Sequence, residues 1–394
     1  MDSVILKVPN YGITRQYVIS FVNAMDKDKV EIQIQGNSIR IQSKSASLPK
    51  IFAEVFYEAE RRLRDYTERK SGKDVVDGND SKQDKGDKKP RMDIPASGND
   101  KEILLKVKKD LKMPIDASFV EVFHQFGEYL ERMDAKDFQS VANGPKLHSP
   151  LSIFKPELYG YTRGPYFDGE LKSEEVSQEE AKISTWEFLI RLAGYAISRV
   201  GIIAIPSGDK PIYLTVLALA TEANYTRSTF ELMLDSMKEF PGFRPEEGMI
   251  MWMALNLPDY LDELLVVGMK NPAGMSPAEI RIGFNVPLKS YRARAHEFLS
   301  SIKEKDMQRT LQWMIRTAMW EKEADSEREL LKLLFTASQG DKQSKEELML
   351  RSSRTLLSSA ENKEQGTEPK DKNKDTKRLY EFCRSMAYII PSIP

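Results

Sequence analysis

Basic and aromatic residues alternate within one glycine-rich segment of the chain. Lys155, Tyr161 and Arg163 lie between residues 143 and 172, where glycines and prolines crowd with aromatic side chains. A planar guanidinium and exposed backbone amides can bind phosphates or base edges, and tyrosine rings can stack on bases. Because a neighbouring glycine lets a backbone approach closely, we expect Arg163, which precedes Gly164, to make such a contact. A loop packed by its own aromatic side chains is the alternative.

A second concentration of positive charge covers residues 289 to 316. This segment contains seven basic and three acidic residues, so its local charge is +4, whereas the net charge of the chain is -1. The basic residues are Lys289, Arg292, Arg294, Lys303, Lys305, Arg309 and Arg316. A helical surface of this charge is suited to follow a nucleic-acid strand, and we take Lys289, Arg292, Arg294 and Arg309 as candidate contacts. A solvated helix face held by salt bridges remains the other interpretation.

Motifs for catalysis are scarce. The Gly208–Lys210 segment lacks both the glycine spacing and the following Ser or Thr of a Walker A loop. The three histidines lie far apart in the sequence and Cys383 is the single cysteine, so no zinc-ligand spacing occurs. Asp168 and Glu170 can in principle hold a metal for phosphodiester cleavage, but nothing marks the further carboxylates that such a site needs. We therefore predict a non-enzymatic protein without metal or cofactor, and keep a metal-dependent nuclease as an alternative.

Length and composition indicate a soluble multidomain protein. The chain has 394 residues, 40% hydrophobic and 30% charged, enough for two or three cores. The N-terminus lacks the basic patch of a signal peptide, and no apolar run reaches the roughly 18 residues that a membrane span needs. One cysteine excludes an internal disulfide and favours an intracellular setting. We expect a cytoplasmic protein without membrane contact.

The elements that must position these residues differ between the two halves. Val30–Ile41 alternates apolar and polar residues around Gly36, which predicts a hairpin, and Pro49 begins a helical pattern that buries Phe52 and Phe56. A further helix is predicted from about Thr185 to Arg199, whereas Leu214 to Ala220 fits either a strand or a buried helix. Beyond residue 225 the pattern is almost entirely helical, with Pro245, Pro258 and Pro277 where helices could begin. Met249, Met251, Trp252, Met253, Trp313 and Trp320 are expected in the core.

These patterns predict an α+β chain: an N-terminal α/β domain with a small β-sheet and hairpins, then a C-terminal α-helical bundle. The predicted segments are an α+β part at 1–70, a disordered charged insertion at 71–100, the rest of the N-terminal domain at 101–224 with its loop at 143–172, a helical domain at 225–358, a charged linker at 359–376 and a terminal helix at 377–394.

Three segments carry a family likeness: Leu6–Gly12, Phe52–Glu60, and Phe154–Pro165 with the Phe167–Gly169 that follows it. They resemble the large subunit of the archaeal subtype I-A CRISPR-associated interference (Cascade) complex. The resemblance covers about the first 205 residues, and the helical remainder is similar to that family in architecture alone.

This resemblance implies a non-catalytic subunit of an RNA-guided antiviral surveillance complex that recognises the protospacer-adjacent motif. Its implied partners are crRNA, target DNA, the backbone and small subunits, and a helicase and nuclease that it helps to recruit. In such complexes base pairing supplies sequence identity, so the protein needs only a few Arg, Lys and aromatic groups. Lys155, Tyr161 and Arg163 match the family-like loop and are the expected contacts near the motif. A helical scaffold that binds only proteins is a further alternative.

Overall fold

A computed structural model describes residues 3–9, 12–72, 93–158, 182–205, 211–302, 305–320, 324–364 and 373–393. Its helices are α1 Ile13–Asn23, α2 Leu48–Gly72, α3 Gly98–Asp110, α4 Phe119–Glu131, α5 Ala135–Ala142, α6 Thr185–Ser198, α7 Arg227–Ser236, α8 Glu246–Asn256, α9 Leu288–Arg294, α10 His296–Ile302, α11 Lys305–Trp320, α12 Asp325–Ala337, α13 Lys342–Glu364 and α14 Asn373–Ile389. Its strands are β1 Ser3–Lys7, β2 Val30–Gln35, β3 Ser38–Ser43, β4 Lys146–His148, β5 Glu157–Leu158, β6 Ile183–Ser184, β7 Arg199–Ile205, β8 Ile212–Leu219, β9 Leu264–Lys270 and β10 Glu279–Val286. Short 3-10 turns cover Met237–Glu239 and Ile390–Ser392. The α+β class predicted from the sequence is confirmed.

The N-terminal strands form an antiparallel sheet in the order β1-β3-β2. The predicted hairpin is correct: β2 and β3 are joined at Gly36, whose φ of 56° lies in the left-handed region that glycine tolerates. Ile39 and Ile41 of β3 are buried. A sheet this small needs further apolar surface from outside itself to be stable.

Aromatic rings fill the core beside α2. The Phe52 and Trp186 rings lie 5.0 Å apart, and Phe138 meets the same indole edge-on at 5.3 Å. Phe56 packs edge-on against Phe126 at 5.0 Å. The helical stripes at 52–56 and 119–130 converge because each must remove its apolar face from water.

A second sheet has the strand order β5-β10-β9-β8-β7. Strands β8 and β9 pair antiparallel, so the ambiguous Leu214–Ala220 segment is a strand, and β10 pairs with β5 in parallel. Strands β9 and β10 correct the expectation of an almost wholly helical chain beyond residue 225. The β9 sequence LLVVGMK is a short buried apolar run, and such a run does not distinguish strand from helix by periodicity.

The predictions made from prolines and from charged segments agree with the structure only in part. Pro245 does precede a helix, α8, but no helix begins at Pro258 or Pro277. The predicted insertion at 71–100 lies mostly outside the described residues, although α3 already begins at Gly98. The predicted linker is shortened from both sides, because α13 extends to Glu364 and α14 begins at Asn373.

The chain forms two compact units. The first contains residues 1–204, 212–238 and 265–284, and the second contains 205–211, 239–264 and 285–394. The second unit is helical, and its core includes Trp252 and a Tyr291 ring stacked on Phe335 at 5.0 Å. No helix within the described residues is long and apolar enough to cross a membrane.

Candidate nucleic-acid interface

The glycine-rich loop is described only up to Leu158. Strand β4, in this loop, pairs antiparallel with β6, which lies beyond it, and Lys155 is an exposed bend residue whose amide donates to the Ser152 carbonyl at 3.1 Å. Tyr161 and Arg163, together with Asp168 and Glu170, lie outside the described residues. Their proposed contacts with nucleic acid or metal therefore stay predictions.

The basic segment of the second unit folds into helices α9, α10 and α11. Lys289 is exposed, with its Nζ 3.2 Å from an Asp262 carboxylate oxygen. Arg294 is exposed and its Nε donates to the Ser290 carbonyl at 3.2 Å. Arg309 is also exposed, 3.9 Å from Asp306, and these loose contacts leave its guanidinium open to a ligand. Lys303 and the side chain of Lys305 lie outside what the structure describes.

Arg292 differs from its neighbours because its guanidinium points into the protein. It donates to the carbonyl oxygens of Ala254, Leu257, Pro258, Asp259 and Leu261, at 2.8 to 3.2 Å. These carbonyls belong to the last turn of α8 and the segment after it, where helical hydrogen-bond partners run out. Burial lowers the pKa of Arg292, an effect that Asp259 partly opposes. The side chain thus holds a helix end, and the surface described next does not include it.

An open groove of about 460 Å³ lies between α11 and α14 in the second unit. It combines two arginines with two aromatic side chains and one carboxylate. Its lining residues are Arg309, Thr310, Trp313, Glu381, Arg384, Ser385 and Tyr388. Trp313 is 37% exposed and Tyr388 is 65% exposed, which is unusual for side chains of this size. We call this surface the Arg–Trp groove.

Helical periodicity places these side chains on the groove. Arg309 and Trp313 are four residues apart on α11, and Arg384 and Tyr388 have the same spacing on α14, so each pair lies on one helical face. The opposite face of α14 is apolar, with Phe382 and Met386 fully buried. Phe382 also anchors the groove, because its ring lies 6.3 Å from that of Trp313.

The groove has the chemistry of a single-strand binding surface. Indole and phenol rings offer stacking platforms for bases of any identity, and guanidinium groups bind phosphates through paired N–H donors. Arg384 makes no ion pair with any residue that the structure describes. Two arginines against Glu381 leave a net positive charge on the lining. The same residue types also dominate protein–protein hot spots, so a protein partner is the competing chemistry.

Sequence reasoning found one side of this groove and missed the other. Arg309 was a candidate from charge alone, whereas Trp313 was expected in the core with Met249, Met251, Trp252 and Met253, which are indeed buried. No sequence motif singles out Arg384 or Tyr388. The available signal was the period of the terminal helix, in which buried Phe382 and Met386 alternate with this exposed pair.

A buried histidine in the first unit lies beside an acid and a hydroxyl, the residue types of a catalytic relay. His148 is buried, and its Nε2 lies 2.9 Å from an Asp110 carboxylate oxygen and 3.0 Å from Thr185 Oγ1. Burial lowers the pKa of His148, and Asp110 opposes that effect. A nucleophile relay needs the acid and the hydroxyl on different ring nitrogens, so this geometry is that of a structural hydrogen bond. No group of three or more metal-ligating side chains occurs in the described part of the chain.

Comparison with known proteins gives one family. The chain matches the sequence model of one protein family, described as "CRISPR-associated protein, CsaX". The match covers residues 64–356, about three quarters of the chain. The match includes Arg309 and Trp313 but ends before Arg384 and Tyr388, and it begins after the three-stranded sheet. No curated protein matches the chain.

Proposed function

This chain belongs to the CRISPR-associated protein CsaX family, and we propose that it is a non-catalytic subunit that binds nucleic acid within an RNA-guided CRISPR surveillance complex. The observation that carries the proposal is the Arg–Trp groove, with Arg309 and Trp313 on α11 and Arg384 and Tyr388 on α14. A family tied to CRISPR and an open cationic, aromatic surface are both expected of such a subunit.

The groove accounts for binding that does not depend on sequence. Stacking on Trp313 and Tyr388 tolerates any base, and Arg309 and Arg384 neutralise phosphates without reading base edges. In an RNA-guided complex the guide supplies sequence identity, and a protein surface of this kind is needed to hold a guide or a displaced strand. The near-neutral charge of the chain suits a subunit that binds within an assembly rather than alone.

The finer assignment is the large subunit of a subtype I-A complex, which contacts crRNA and target DNA, recognises the protospacer-adjacent motif and helps recruit the helicase and nuclease. Its support is the likeness of Leu6–Gly12, Phe52–Glu60 and Phe154–Pro165 to that subunit. Of these three segments the last lies inside the family match, and the other two precede it. We assign motif recognition to the loop containing Lys155, Tyr161 and Arg163, and strand guidance to the Arg–Trp groove.

Co-purification tests the role. The tagged chain is isolated from its native host or from a reconstituted operon, and bound RNA and proteins are identified by sequencing and mass spectrometry. Short RNAs of uniform length that share a 5′ tag, together with several partner proteins, are the expected result. A chain that emerges without nucleic acid, and that fails to bind single strands or target DNA when its partners are added, would refute the proposal and favour a protein scaffold.

Variants of the purified complex separate the two surfaces. Arg163→Ala should abolish discrimination between the correct and a scrambled motif, while the double variant Arg309→Gln/Arg384→Gln should weaken binding to all sequences alike. Unchanged motif discrimination in the Arg163 variant would remove motif recognition from that loop. Cleavage that needs a divalent metal and is lost in Asp168→Asn would instead indicate a nuclease.

A further inference from the structure

We propose that a cavity in the first unit binds the phosphate group of a nucleotide. The cavity measures about 260 Å³ and lies between edge strand β1, the end of α5 with strand β4, and the first turns of α6. Three cationic side chains reach it from three different elements: Lys7 from β1, Lys146 from β4 and Arg191 from α6. This volume accommodates a phosphate and an attached sugar but is below the range of most drug-sized pockets.

Arg191 is the central group of this cavity. Its guanidinium makes no hydrogen bond or ion pair with any described residue, and the side chain is half-buried. Burial lowers the pKa of Arg191, and the nearby Glu187 offsets this only in part. A half-buried guanidinium without a protein acceptor loses part of its hydration and gains no hydrogen bond in return, which costs free energy. A bound phosphate would supply the missing acceptors through the planar fork of N–H groups.

Glu187, the acidic residue in the lining, is already used by the protein. It belongs to the capping box of α6, in which its amide donates to Ser184 Oγ at 3.1 Å and its carboxylate accepts from the Ser184 amide at 3.4 Å. Because one carboxylate faces three cations, the lining keeps a net positive charge. The cavity therefore favours an anion.

A further donor lies in the wall. Trp186 is 3% exposed, it lines the cavity, and its indole Nε1–H has no acceptor among the described residues. Buried indole N–H groups ordinarily have a partner. The N-terminal turn of α6 also contributes, since the positive end of a helix dipole favours negative charge. Donors from Arg191 and Trp186 with flanking Lys7 and Lys146 form a site matched to phosphate oxygens.

Two sources can supply this phosphate: a free nucleotide, or the end or backbone of a nucleic-acid strand. The proposal does not depend on the proposed function, because the cavity lies wholly in the first unit and the Arg–Trp groove wholly in the second. If the phosphate site fails its test, the proposed function of the Arg–Trp groove is unaffected, and the reverse also holds.

Isothermal titration calorimetry on the 394-residue chain tests the site with three probes: AMP, a short single-stranded RNA carrying a 5′-phosphate, and the same RNA with a 5′-hydroxyl. Arg191→Gln should weaken binding about tenfold or more, the effect of losing one charge-assisted hydrogen bond. Lys146→Gln, which changes an exposed side chain and so should leave folding intact, should weaken it several-fold. Arg132→Gln, on an exposed arginine outside the cavity, is the matched control and should change nothing.

Each outcome decides the question. Binding of AMP that falls in both cavity variants supports the site with a free nucleotide as its source. Binding confined to RNA, and weakened by the same variants, supports the site with a strand as its source, and a preference for the 5′-phosphate would place a strand end there. The proposal is overturned if none of the three probes binds, or if binding is the same in the wild type and both cavity variants. Thermal unfolding of each variant checks the fold, and Arg191→Gln should not lower Tm, because it removes a charge whose desolvation the nearby Glu187 offsets only in part.

Discussion

Removing the arginines of the Arg–Trp groove should change the salt dependence of single-strand binding by a calculable amount. Each phosphate that a protein neutralises on a single strand adds about -0.7 to the slope of log K against log salt. Arg309 and Arg384 line the groove, and the only ion pair that the described residues give either of them joins Arg309 to Asp306 at 3.9 Å. Arg309→Gln and Arg384→Gln should therefore each make this slope less negative by about 0.7, and the double variant should make it less negative by about 1.4.

Trp313 contributes through stacking rather than charge. Replacing an aromatic platform by alanine costs about 1–3 kcal/mol per stacked base, which corresponds to about 5- to 150-fold in affinity at constant salt. Trp313→Ala should weaken binding within that range and leave the salt slope unchanged. Because its ring also lies 6.3 Å from that of Phe382, the fold of this variant is checked by thermal unfolding before affinities are compared.

The assay is fluorescence anisotropy of a labelled single-stranded oligonucleotide, measured over a series of salt concentrations for the wild type and each variant. Arg354→Gln is the matched control, since Arg354 is exposed on α13 in the same unit and does not line the groove. Equal slopes for the wild type and the double variant would refute the reasoning. Equal losses in the Arg354 control would show a general charge effect instead.

Three further predictions concern stability. Gly194→Ala should cost several kcal/mol in a denaturant titration, because a Cβ there would lie 1.9 Å from the Tyr17 carbonyl oxygen; Gly201→Ala, which meets nothing within 4 Å, should cost about 1 kcal/mol or less. Arg292→Met should lower the free energy of unfolding by about 3 kcal/mol or more, since five carbonyl oxygens lose the Arg292 guanidinium as a donor and only that of Pro258 is known to keep another, the Leu261 amide; an unchanged Tm would contradict that role. Burial lowers the pKa of Lys27 to about 7. Between that pH and the unfolded lysine pKa of about 10.4 the unfolded chain binds more protons, so stability should rise with pH by up to about 1.4 kcal/mol per unit. Lys27→Met should remove this rise, and an identical pH profile in both proteins would rule the effect out.

Local periodicity was sufficient for much of the fold. The hairpin around Gly36, the helix of residues 185–198 and the buried stripe of Phe52 and Phe56 follow from patterns within a few residues of one another. Such patterns are local because a strand or helix repeats its faces every two or 3.6 residues. Strand β9 escaped this reasoning, since a short apolar run is a strand only when neighbouring strands accept its backbone hydrogen bonds. Strand β10 differs, because its sequence EIRIGFNV alternates polar and apolar residues and local periodicity does indicate a strand there.

The candidate site needed the tertiary structure. Arg292 and Arg309 have the same charge and lie in the same basic segment, yet one binds carbonyls of residues 254–261 and the other faces solvent. Arg384 and Tyr388 join Arg309 and Trp313 from about 75 residues further along the chain. The sequence by itself determined which residues carry charge and which helical faces are apolar. Only the packing of distant segments decided which cations exchange their hydration for hydrogen bonds to backbone carbonyls and which stay exposed to solvent, where they can bind a phosphate. The reason is that desolvation depends on what surrounds a group in space.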